Sequence, residues 1–104
     1  MFATVRRYEG IDSSNIDELT KKVGETLAPK LSQLPGFSSY FLIDTGNGVM
    51  SSIGLFETST QADESTRVAS EWVRDEKLEN ILQNPPKVTD GEVIVHKTMN
   101  GIKA

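Results

Sequence analysis

The chain has 104 residues, no cysteine and a formal net charge of -4, with 37% hydrophobic and 25% charged residues. That composition describes one folded domain and excludes a disordered chain, disulfides, a thiolate nucleophile and a zinc ribbon. The negative balance argues against nucleic acid as a partner, and no run of about 18 apolar residues is present to cross a membrane. Met1 leads into Phe2-Ala3-Thr4-Val5 without the basic start and apolar core of a signal peptide, so a cytoplasmic location is expected. At this length only about two-thirds of the extended surface is buried on folding, which makes a partner subunit a natural cover for any exposed sheet face.

The first strand is expected from Phe2 to about Tyr8, where Phe, Thr, Val and Tyr favour extended backbone. Phe2, Thr4, Arg6 and Tyr8 share one of its faces, with Ala3, Val5 and Arg7 on the other. Ser14 or Asn15 is placed to cap a helix, each having an acidic residue three positions on, Asp17 and Glu18. Ile16, Leu19, Val23, Leu27, Leu31 and Leu34 then recur at spacings of three and four, one apolar stripe along one helix. Pro29 removes a backbone hydrogen bond inside that stripe and predicts a kink between Glu25 and Pro29. Pro35-Gly36 ends the helix.

A strand from Phe37 to Ile43, a tight reversal at Thr45-Gly46-Asn47-Gly48 and a strand from Val49 to Phe56 must form an antiparallel hairpin, because so short a loop leaves no room for a crossover. Phe37, Ser39, Phe41 and Ile43 make a strongly apolar face, expected against the helices. The mixed face, with Tyr40, Met50 and Gly54, is expected to be left for a partner or a small pocket. A second helix is expected from near Thr60, with a break at Arg74 to Glu76 and a short helix carrying Leu78, Ile81 and Leu82 up to Asn84-Pro85-Pro86. The last strand is expected from Glu92 to Lys97, with Val93 and Val95 opposite Ile94 and His96. Residues 1–98 thus read as a single α+β domain, followed by a mobile tail from Met99 to Ala104.

The order strand, helix, hairpin, helix, strand gives, with right-handed crossovers, a ferredoxin-like βαββαβ arrangement: a four-stranded antiparallel sheet with both helices on one face. The Leu34-Pro35-Gly36-Phe37 turn, the hairpin ending in Phe56-Glu57, the helix with Trp72-Val73 and the Gly91-Glu92-Val93 strand resemble the dimeric α+β barrel superfamily, in particular the antibiotic biosynthesis monooxygenase-like (ABM-like) proteins. The resemblance implies a homodimer whose sheets form a barrel, with a pocket between sheet and helices. It also implies either a cofactor-independent monooxygenase of a small aromatic molecule or a non-catalytic small-ligand or stress-response accessory protein of the same fold.

His96, Trp72, Tyr40 and Arg6 are the candidate catalytic residues. His96 is the only side chain whose ordinary pKa lies near neutrality, and its bland alternative is a solvated strand residue near a chain end. Trp72 stands at core spacing, where a tryptophan normally packs and finds a partner for its N–H. Tyr40 and Arg6 could stabilise a substrate anion, or could sit in an interface with Arg6 paired to a carboxylate across a subunit boundary. Haem-degrading relatives combine a first-strand Asn with a Trp and a His; the first strand here has no asparagine, so the sequence departs from that pattern. With one histidine and scattered acids no metal site is expected, nor is any cofactor. The expected partners are a second copy of the chain and a small hydrophobic or aromatic ligand. A cavity of roughly 300 Å³ lined by His96, Trp72 and Tyr40 would favour an enzyme, and a collapsed, leucine-filled space would count against one.

Overall fold

A computed structural model describes residues 1–99. Its elements are β1 (Phe2–Tyr8), a helical run made of α1 (Ile16–Lys22), a π-helical segment (Val23–Leu27) and α2 (Ala28–Ser32), then β2 (Phe37–Gly46), β3 (Val49–Phe56), α3 (Ser59–Asp75) and β4 (Lys87–Glu92). The four strands form one antiparallel sheet in the order β2-β3-β1-β4, with α2 against β2 and α3 across β1 and β3. This is the ferredoxin-like arrangement expected from the order of elements.

The first helical run carries its stripe as expected: Leu19, Val23, Leu27 and Leu31 are buried. The loosening ahead of Pro29 takes the form of the π-helical turn at Val23–Leu27, which absorbs the hydrogen bond that proline cannot make. The cap differs from expectation. Asp12, not Ser14 or Asn15, accepts from the Ser14 backbone N–H at 2.9 Å, and a short 3₁₀ turn precedes α1. At α3, Thr58 and Gln61 form a reciprocal capping box. The short second helix is instead a set of turns after Lys77 at φ 57°, with Leu82 N donating to Leu78 O at 2.8 Å. That single turn is enough to bury Leu78.

The β2–β3 hairpin turns at Asn47-Gly48, both with positive φ (57° and 76°), the backbone that suits right-handed strand twist. Gly48 is needed for a second reason. Its carbonyl accepts from Ile11 N at 3.0 Å, and a Cβ there would lie 2.5 Å from the Ile11 carbonyl oxygen.

Two expectations about the sheet are corrected. A bulge between Phe37 and Ser39 puts Phe37 on the helix side, edge-on to Phe56 at 5.8 Å, and turns Ser39, Phe41 and Ile43 outward. The helices therefore cover Tyr40, Leu42, Met50, Ser52 and Phe56, the face expected to be open, while Phe41 (53% exposed) and Ile43 (42%) lie on the uncovered face. Ile53, Leu55, Ala3 and Val5 complete that open face. The covered face contains small residues because Arg6 and Trp72 must fit between sheet and helices, so apolar content alone does not identify the inner side.

The last strand is also displaced. It runs Lys87–Glu92, every residue exposed, and pairs with β1; beyond it only Val93 N continues the ladder, donating to Met1 O at 2.9 Å. The stretch from Val93 to Met99, His96 included, is not strand. Apart from Met99, the tail expected to Ala104 lies outside the described residues.

Candidate functional site

Thr4, Arg6 and Tyr8 alternate along β1, an inner strand, and all three point toward α3. Arg6 is the largest fully buried side chain, only 1% exposed. It therefore does not sit at a subunit boundary as one expectation had it. Its Nη1 donates to Thr66 Oγ1 on α3 at 3.1 Å, and that hydroxyl lies 3.4 Å from Thr4 Oγ1. Nε and Nη2 of Arg6 are buried and, among the described residues, have no hydrogen-bond partner; the same holds for Ser52 Oγ, which stands opposite Arg6 on β3. Among the described residues no carboxylate forms an ion pair with Arg6.

Two phenols flank this charge. Burial pushes the pKa of both Tyr8 and Tyr40 up, and the positive charge of Arg6 acts against it. No hydrogen bond of ordinary geometry joins either hydroxyl to Arg6 or to Ser52. The phenols thus stay neutral at physiological pH beside the Arg6 charge.

Beside Arg6 opens a cavity of about 320 Å³ between β1, the C-terminal half of α3 and the turns that follow it. Arg6, Tyr8 and Thr66 line its inner part, Val73, Leu82 and Pro86 supply apolar wall, and Ser70, Arg74 and Glu79 are exposed around it. The volume is at the lower end of small-molecule sites. The turns stand where they do because Leu78 is anchored in the core and Asn84 Nδ2 donates to the Glu9 carbonyl at 3.1 Å.

Of the four residues expected in a site, the structure brings Arg6 and Tyr40 close together. Tyr40 and Trp72, however, line a separate space of only about 20 Å³ filled by Leu19, Leu27, Leu42 and Met50, so the expected cavity around them is collapsed. Tyr8 and Leu82 form a wall common to the two spaces. Trp72 is 3% exposed, and its Nε1 donates to Thr26 Oγ1 in the π-helical segment at 2.7 Å. His96 is exposed, outside the strand, and lines neither space. Tyr8 was missed, although its alternation with Arg6 on one face was the available signal; Thr66 carried none beyond its place on the inner side of α3, and Ser70, exposed at the cavity's edge, carried none. Among the described residues no group of three or more His, Cys, Asp or Glu side chains could hold a metal ion, and no helix is long and apolar enough to cross a membrane.

No protein-family model and no curated protein matches the chain. Solved structures do. The NE2512 protein of unknown function from Nitrosomonas europaea superimposes with a TM-score of 0.75 at 16% identity, over 96% of this chain and 95% of that one. A monooxygenase from the gene ActVA-Orf6 of Streptomyces coelicolor, solved in complex with nanaomycin D, gives 0.72 at 14% identity over 95% and 92%. A dimeric ferredoxin-like protein from an uncultured marine organism gives 0.68 at 12% identity over 94% and 98%. At such identities the likeness is one of fold: the chain has the fold of the ABM-like dimeric α+β proteins.

Proposed function

We propose that the protein is a homodimer that takes a small aromatic molecule into the cavity beneath α3 and acts on it as a cofactor-independent monooxygenase. The observation that carries this reading is a buried guanidinium, without an ion-pair partner among the described residues, in the wall of an open, largely apolar cavity. Oxygenation without a cofactor takes its electrons from the substrate, which reacts as an anion. An activated ring CH₂ becomes a carbonyl, one atom of dioxygen entering the product and the other leaving as water with the two hydrogens. A dry site bearing a positive charge favours that anion by lowering the pKa of the bound substrate. The outward face with Phe41, Ile43, Ile53 and Leu55 supports the homodimer, since a second copy would remove it from water.

A second reading, binding without catalysis, is favoured by the exposure of His96 and the collapse around Trp72 and Tyr40. Oxygen uptake in the presence of an anthrone, with Ser70→Trp as the cavity-filling control, separates the two. Uptake by the wild type that falls at least tenfold in Ser70→Trp is expected. Saturable binding without uptake leaves the binding protein, and an anthrone that neither binds nor reacts contradicts the cavity as a ligand site.

A further inference from the structure

We infer that Tyr8 and Leu82 select the ligand by size: they form a partition on the inner side of the cavity, and what they admit is a compact aromatic molecule with no substituent on its inward end. The inference rests on the reading of the cavity as the ligand site and goes further by naming the residues that choose among ligands. Both side chains line the cavity of about 320 Å³ and, on their other side, the space of about 20 Å³ in the core. The rest of the wall is different, since Thr66, Val73 and Pro86 line the cavity and do not touch the inner space. A ligand pressed against Tyr8 and Leu82 therefore meets two side chains with unfilled apolar space behind them.

The partition is held from both ends. Tyr8 is the last residue of β1 and pairs with Met50 on β3. Leu82 is carried by the turns after α3, where its N–H donates to the Leu78 carbonyl at 2.8 Å and Leu78 is anchored in the core. Behind the two, Leu19, Val23, Leu27 and Met50 line the inner space, and Trp72 closes it with its Nε1 tied to Thr26. That space is too small for a ring, yet it is not packed solid, and its lining groups lack contacts on one side. Truncating Leu82 or Tyr8 joins it to the cavity and lengthens the site inward, whereas truncating Val73 widens the cavity without reaching it. An alkyl chain entering the joined space is buried among apolar side chains, and a few methylenes so placed strengthen binding by about tenfold or more.

Titration with anthrone and with 2-propylanthrone, read by calorimetry and by the indole N–H resonance of Trp72, the chain's one tryptophan, tests this. In the wild type the two compounds are expected to bind within about threefold of each other, and neither should move the Trp72 resonance. In Leu82→Ala the propyl compound should gain at least about tenfold over anthrone and shift that resonance. Tyr8→Ala should do the same, so that loss of fold in one truncation leaves the other to decide. Tyr8→Phe, which keeps the ring, should behave as the wild type, and Val73→Ala should bring neither the gain nor the shift. The inference is overturned if no truncation of the partition gains the preference, if Val73→Ala gains as much, or if the propyl compound already shifts Trp72 in the wild type. Each of those results, obtained with anthrone bound to the wild type, leaves the cavity reading intact. Failure of anthrone to bind the wild type would remove the inference and the cavity reading together.

Discussion

Among the described residues Arg6 combines deep burial with one hydrogen bond and no counter-ion, a combination that normal folding energetics does not reward. Replacement by methionine, similar in length and uncharged, is therefore expected to stabilise the ligand-free protein by about 1–3 kcal/mol in urea denaturation. A clear loss of stability would make the guanidinium a structural strut. Thr66→Val acts the other way: it strands a further Arg6 donor and should cost about 1–3 kcal/mol. The phenols add a pH dependence. Their pKa values are raised above 10.0 by burial, so the folded protein holds these protons more tightly than the unfolded chain does. Stability from this source is complete below about pH 10 and is lost as pH rises through the folded pKa. Tyr8→Phe should flatten the alkaline limb of a plot of melting temperature against pH; an unchanged limb would remove Tyr8 as a contributor.

At the scale of elements, the hairpin turn and the helix caps set the frame on which Arg6 is mounted. Gly48→Ala would force a side chain into φ 76° and against the Ile11 carbonyl, and a loss of about 1–3 kcal/mol is expected by thermal denaturation. The elements that could be read in the sequence were those with an unambiguous period. The stripe from Ile16 to Leu34, the kink before Pro29 and the Asn47-Gly48 reversal all announce themselves in residue type. The sheet's inner face did not, because both faces of the hairpin alternate with apolar residues and the bulge after Phe37 reverses which of them looks inward. β4 was displaced for a related reason. Lys87–Glu92 is an exposed edge strand with the charged residues that edges carry, whereas Val93 to Val95 look like a strand and have no sheet neighbour along most of their length. In the candidate site Arg6 could be found from its face on β1, but its cavity is built by turns after α3 that have no periodicity. His96 stood out by chemistry alone, and chemistry does not fix position.

For the whole molecule, the reversal of faces moves the proposed dimer contact to the side bearing Phe41, Ile43, Ile53 and Leu55. Phe41→Asp should yield a folded monomer in light scattering, since it places a charge in the pairing surface but outside the protomer's core. Met50→Asp, by contrast, puts the charge among Leu19, Val23 and Trp72 and should unfold the chain. Dimers that persist in Phe41→Asp would locate the contact elsewhere. The cavity lies on the opposite side of the sheet from this surface, so pairing leaves its position on α3 and β1 untouched. Backbone amide shifts during titration of the protein with an anthrone report most directly on where a ligand sits. Changes centred on Arg6, Thr66 and Ser70 are expected, and changes confined to the groove beside Gly24, Ala28 and Phe41 would contradict the assignment.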